Sequence, residues 1–170
     1  MAILTILQFP NPRLRTRAKP IRTITSDIHR LAADMLETMY DAPGIGLAAT
    51  QVDVHKRLLV IDISPEKNQP LVFINPEFEV IDDVDNEPYD EGCLSVPGFY
   101  EAVTRPNHIR AQAMDLDGQL FTAEYRGIMA ICLQHEIDHL NGKLFVDHIS
   151  ALKRNNIRTK LVKEQKRESI

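Results

Sequence analysis

The sequence predicts a chain of mixed helices and strands, with one helix at the centre of its chemistry. Three observations carry this. Apolar residues recur at helical spacing through 26–40 and again through 128–139. Strand-like runs occur at 57–63 and 71–75. Two further runs, at about 108–114 and 119–125, flank Asp117-Gly118, a tight hairpin turn. At 170 residues the chain suits a single domain over 1–170, with one core that buries about two thirds of its unfolded surface. Hydrophobic residues at 44% and charged residues at 26% are ordinary globular values, which argue against disorder and membrane insertion. The N-terminus has neither a basic n-region nor a small-residue cleavage site, so the expected location is cytoplasmic, with no membrane partner.

Taken in order, residues 1–24 mix prolines and arginines without a period and read as an extended arm lying on the body. Ile28, Leu31, Ala32, Met35, Leu36 and Met39 then define an amphipathic helix over 26–40. Thr25, Ser26 or Asp27 can cap it, and Pro43-Gly44 stops it. The segment 44–51, GIGLAATQ, reads as a loop whose glycines and alanines allow close approach to another element. It is a poor phosphate cradle, because it lacks a Gly-Lys-Ser/Thr ending and follows a helix rather than a strand. The strands at 57–63 and 71–75 are separated by the turn-rich SPEKNQP, and 76–90 is acidic and irregular. The stretch 91–98, EGCLSVPG, reads as a loop that presents Cys93. After the hairpin comes the central helix. Leu152, Ile157, Leu161 and Val162 then predict a closing helix over 151–166.

The central helix holds H-E-x-x-H as His135, Glu136 and His139. Four residues make about one turn, so both imidazoles point the same way and continue the stripe of Ile128, Ile131 and Cys132. Arg126-Gly127 and Asn141-Gly142 punctuate its ends. Two neutral imidazoles on one face are a natural pair of ligands for a divalent metal. Glu136, about 100° around the helix, is placed to serve as general base beside a metal-bound water. The third ligand is left open. Gly142 fits the longer pattern of some zinc peptidases, but Phe145 stands where the third histidine belongs and His148 is three residues out of register. Glu164 and Glu168 lie in a basic tail, so the missing ligand is sought upstream. Cys93 and Cys132, reduced in a cytoplasmic setting, are both candidates. Charge is uneven. Residues 151–170 hold seven basic and two acidic side chains, a local +5 that leaves −9 on the rest of a chain of net −4, and this basic end could contact a polyanion.

Read together, GIGLAATQ at 44–51, EGCLS at 91–95 and QHEIDHLNG at 134–142 closely resemble the three signature motifs of the peptide deformylases, in order and at similar spacing. The likeness extends from Leu14, Arg15, Ala18, Lys19 and Pro20 to the basic tail. It implies an α+β fold in which antiparallel strands surround a central metal-binding helix, with a C-terminal helix. It implies one metal bound by Cys93, His135 and His139, with Fe2+ as the native ion and Ni2+, Co2+ or Zn2+ as substitutes. The implied reaction is hydrolysis of the formyl group from the N-formylmethionine of nascent polypeptides, releasing formate, with Glu136 as general base. The Leu94 backbone N–H and the Gln51 amide are then oxyanion donors, and Gly46 lets its segment lie close to the substrate. Ile45, Ile128, Ile131 and Cys132 are candidates for the methionine pocket. Arg105 is grouped with them as a basic residue that orients the peptide or a neighbouring acid. The basic tail resembles the segment by which bacterial deformylases dock on the ribosome. The competing reading from H-E-x-x-H with Gly142 is a zincin-type metallopeptidase that cuts internal peptide bonds.

Overall fold

The computed structural model describes residues 2–169. An arm with one 3-10 turn (Pro12–Arg15) leads into helix α1 (Ser26–Asp41). Strand β1 (Gly46–Ala48), a second 3-10 turn (Ala49–Val52), β2 (Leu58–Ile61), β3 (Leu71–Asp82), β4 (Pro88–Cys93), β5 (Val96–Thr104), β6 (His108–Met114) and β7 (Leu120–Arg126) follow. Helix α2 (Gly127–Leu140), a third 3-10 turn (Phe145–His148) and helix α3 (Ala151–Glu168) complete the described chain. Strands β1, β2, β3, β6 and β7 make one antiparallel sheet in that order, and β4 pairs only with β5. The fold is α+β, with antiparallel strands about α2 and a C-terminal helix.

The run Leu58–Ile61 explains how the layers are held. Successive strand residues point to opposite faces, so an unbroken apolar run belongs to a strand covered on both sides. Leu59 and Ile61 meet Ala130, Leu133 and Ile137 of α2, while Leu58 and Val60 meet Ile28, Met35 and Met39 of α1. A third cluster joins the β4–β5 hairpin to the arm and α3, through Leu14, Val96, Val103, Phe145, Ile157 and Leu161. This last cluster ties the hairpin to the 3-10 turn that follows α2.

Three readings of the sequence are corrected. The segment 44–51 is an edge strand followed by a 3-10 turn, because Gly46, Leu47 and Ala48 pair with Ile61, Val60 and Leu59. The stretch 76–90 is largely strand. β3 runs on to Asp82 against β6, and Pro88–Asp90 belong to β4. Pro76 is tolerated because the register shifts between Ile74 and Glu77, a bulge where Asn75 takes a φ of 52°. Cys93 is the last residue of β4, at the corner of a hairpin in which it pairs with Val96, rather than in an open loop.

Gly142 ends α2 for a backbone reason. Its φ is 77°, and a Cβ there would lie 2.5 Å from the Arg15 carbonyl oxygen. Gly142→Ala is therefore expected to destabilise the fold by about 2 kcal/mol or more, through left-handed strain and the clash with the arm. Thermal denaturation should report a Tm lower by roughly 4 °C or more; an unchanged Tm would contradict the packing described.

Candidate metal centre

Helix α2 lies inside the protein. Of its residues only Gly127, Ile128 and Asp138 are not buried, so its polar side chains must find partners within the structure. Gln134 does so by donating to the Pro106 and Ala130 carbonyls. His135 and His139 turn to the same side, with their Nε2 atoms 3.3 Å apart. Opposite them the end of β4 brings Cys93 Sγ to 3.3 Å from His139 Nε2, and the three donor atoms lie within 4.8 Å of one another. The Ser95 N–H and the Gln51 Nε2 point at the same sulfur, at 3.4 and 3.5 Å. These are donors a thiolate can use. Cys132, the other cysteine, is buried on α2, where burial first and the nearby Glu136 second push its thiol well above its ordinary pKa. The sulfur that joins the imidazoles is therefore that of Cys93.

Glu136 borders this cluster. It is 2% exposed, and its Oε1 lies 3.8 Å from His135 Nε2 and 4.0 Å from His139 Nε2. Its Oε2 has no hydrogen-bond partner among the described residues. Burial pushes its pKa up to about 7, opposed by His135 and reinforced by Glu91. A buried carboxylate with a vacant oxygen is costly unless a proton or cation compensates it. His139 Nδ1 is also without a partner among the described residues, and burial holds this ring well below its ordinary pKa. For His135 burial acts in the same direction, but the bonds to Cys93 and Glu91 outweigh it and raise the ring well above its ordinary value. One cysteine sulfur, two imidazole nitrogens and, beside them, a buried carboxylate oxygen without a partner among the described residues form a donor set that fits a divalent metal. Phe145, at the place of the third histidine in other H-E-x-x-H proteins, stacks on His135 at 6.2 Å between ring centroids. His148 lies instead on Asp138, at 3.0 Å.

Around these groups runs a cleft of about 890 Å³, lined among others by Ile45, Gly46, Gln51, Leu94, Ile128, Ile131 and Cys132. Ile45 and Ile128 are partly open, at 46% and 38% exposed, while Ile131 and Cys132 form a buried wall. A Cβ on Gly46 would lie 3.0 Å from Glu136 Oε2, so the bare backbone of β1 packs directly against the carboxylate. Gln51 is fixed at both ends of its amide. Its Oε1 accepts from the Ala48 N–H at 2.9 Å, and its Nε2 donates to Ser95 Oγ at 3.1 Å.

Arg105 does not line the cleft. It is 6% exposed and forks onto both oxygens of Glu91, at 2.7 and 3.1 Å, while its third nitrogen reaches Asp138 at 2.8 Å. It therefore orients a neighbouring acid and does not touch the peptide site. Glu91 in turn accepts from or faces His135 Nδ1 at 3.0 Å. Burial alone would raise the Glu91 pKa, but the bonds from His135 and Arg105 reverse this and hold it below the ordinary range. Sequence reasoning left Glu91 without a role. No local signal could supply one, because its partners His135 and Arg105 lie 44 and 14 residues away in the chain. Arg105→Ala is expected to leave two buried acids unpaired, at a cost of about 3–5 kcal/mol, and to weaken metal retention by roughly 10–100-fold. Thermal denaturation combined with dialysis against a chelator checks both; wild-type values in both would contradict the network.

The sequence profile of the family described as polypeptide deformylase matches residues 3–155. A peptide deformylase of Cellvibrio japonicus is 64% identical over 166 residues, which is 98% of this chain and 98% of that one. The crystal structure of a peptide deformylase from Legionella pneumophila superposes with a TM-score of 0.91 at 46% identity, covering 99% of this chain and 98% of that chain. One from Ehrlichia chaffeensis, in complex with actinonin, gives 0.90 at 38% identity over 96% of this chain and 98% of that chain. With the geometry above and likeness along nearly its whole length, the chain belongs to the polypeptide deformylase family, hydrolases that remove N-formyl groups from nascent peptides.

Proposed function

We propose that residues 1–170 act as one catalytic domain in which Cys93, His135 and His139 hold a single ferrous ion, with nickel, cobalt or zinc as substitutes. The observation that carries this is the convergence of one sulfur and two ring nitrogens beside the buried, partnerless carboxylate of Glu136. A divalent ion bound there supplies a water acidified toward neutral pH and polarises the formyl carbonyl.

The protein's own groups supply the rest. Glu136, already near the cation's place, accepts a proton and delivers it to the departing amine, which needs a carboxylate whose affinity for the proton is raised by burial. The amide nitrogen of Gln51 is aimed by the bond its oxygen makes to Ala48, and with the Leu94 N–H beside Cys93 it donates to the developing oxyanion. The wall of Ile45, Ile128, Ile131 and Cys132 takes the methionine side chain, and the burial of Ile131 and Cys132 on its inner part strengthens the charge interactions next to them. No helix among the described residues is long and apolar enough to cross a membrane. We read the protein as acting in the cytoplasm, with the basic face of α3 as a contact to the ribosome. Its lysines and arginines outnumber its acids, and Ile157 and Leu161 anchor its other side.

Protein prepared without oxygen and loaded with iron or nickel should release formate from a formyl-methionyl peptide. Cleavage of internal peptide bonds without formate would instead favour the zincin-type metallopeptidase.

A further inference from the structure

Of the four side chains in the methionine wall, those of Ile128, Ile131 and Cys132 stand on α2 and that of Ile45 does not. Ile45 lies in the link between α1 and β1 and is 46% exposed, so side-chain packing holds it only in part. Its backbone must supply the rest. The Ile45 carbonyl accepts from the N–H of Asp62, the residue after β2, at 2.8 Å, and the Gly44 N–H donates to the Met39 carbonyl of α1 at 2.7 Å. The link is thus tied to the strand on one side and to the helix on the other.

Asp62 is itself the centre of a buried network. It is 3% exposed. One carboxylate oxygen accepts from the Ser64 N–H at 2.9 Å and from the Ser64 hydroxyl; the other accepts from the Gln69 N–H at 3.2 Å and from the Tyr40 hydroxyl. All of these donors are neutral. Burial alone would raise the Asp62 pKa, but the bonds from Ser64, Tyr40 and Gln69 reverse this and hold it below the ordinary range. Burial first, then the bond to Asp62 and its charge, push the Tyr40 phenol up to about 12, so it keeps its proton and donates. Tyr40 thereby closes a ring. From α1 the chain runs through the link to Ile45, crosses to Asp62 by the backbone bond and returns to Tyr40 by the side-chain bond. Closing it removes conformational freedom from residues 41–45.

We infer that Tyr40 is a positioning residue for the choice of methionine: through Asp62 it holds Ile45 where that side chain completes the pocket begun by Ile128, Ile131 and Cys132. Tyr40 does not line the cleft and acts through the carboxylate it donates to. Gly46, which packs on Glu136, is held separately by its pairing with Ile61, so the proton-transferring side of the site does not depend on Tyr40. The inference rests on the deformylase reading.

Formate release from a formyl-methionyl and a formyl-alanyl dipeptide, otherwise identical, tests it, because the alanine methyl group leaves the pocket unfilled. Release by the wild type tests the deformylase reading by itself, and no formate from it would strike that reading and the inference together. Tyr40→Phe removes only the hydroxyl. It should raise KM for the methionyl peptide roughly threefold or more, the worth of a typical hydrogen bond, with kcat and the alanyl peptide close to wild type. Ile45→Ala should lower the preference for methionine directly, and adding Tyr40→Phe to it should lower that preference no further, since the two side chains act as one unit. An unchanged preference in Tyr40→Phe, equal losses for both peptides, or a further loss in the double variant would overturn the positioning role while leaving the deformylase reading in place.

Discussion

Replacing Glu136 by alanine is expected to leave metal content at the wild-type level and to lower formate release by roughly 10²–10⁴-fold, the usual worth of a positioned proton carrier. The direction follows from where the carboxylate sits. Its nearer oxygen is 3.8 Å from His135 Nε2 and 4.0 Å from His139 Nε2, close enough to face a group bound there, while three other donors already converge. The backbone of Gly46 closes off the other oxygen from solvent. Metal analysis beside steady-state assay separates the cases. If metal disappears together with turnover, Glu136 is a ligand and its assignment as base is wrong.

Cys93→Ser is the second large effect. A neutral hydroxyl is a far weaker donor than a thiolate, and the site has no spare group to replace it, because Cys132 is buried with its thiol kept protonated. Metal content should fall to a small fraction of one ion per chain after dialysis, with activity lost in proportion. A zincin-type site predicts the opposite, full metal retention, because it would not use this sulfur. Circular dichroism in the far ultraviolet should be unchanged, since Cys93 is a hairpin corner and the core cluster behind it is held by Leu14, Val96, Val103 and Phe145.

What could be read from the sequence, and what could not, divides along a physical line. Helices α1 and α2 declared themselves because their apolar spacing is local, and the β6–β7 hairpin because Asp117-Gly118 is a local turn signal. Gly118 indeed takes a φ of 79°. Strand β1 did not, because its three residues become a strand only by pairing with β2, some thirteen positions on, and nothing in GIGLAATQ encodes that partner. The far half of β3 was hidden by Pro76 and by acids that face solvent, although Phe78 and Val80 kept the alternation. The two histidines were legible as a pair from their spacing. The sulfur was legible only in part, since the stretch 91–98 reads as presenting Cys93 while Cys132 stays open as a candidate; the family resemblance names Cys93, and it is Cys93 that the folded hairpin brings beside the two histidines. Arg105 shows the limit of carrying a role over. Its partners Glu91 and Asp138 lie 14 and 33 residues away, so the ion network that removes it from the cleft is visible only in three dimensions.

X-ray absorption at the metal edge of the iron- or nickel-loaded protein tests the central claim most directly. The account predicts one sulfur at about 2.3 Å and two imidazole nitrogens at about 2.0–2.1 Å, with a further light scatterer that exchanges with solvent or added anion. A spectrum without sulfur, or one that fits four protein donors and does not change on adding an anion, would contradict it.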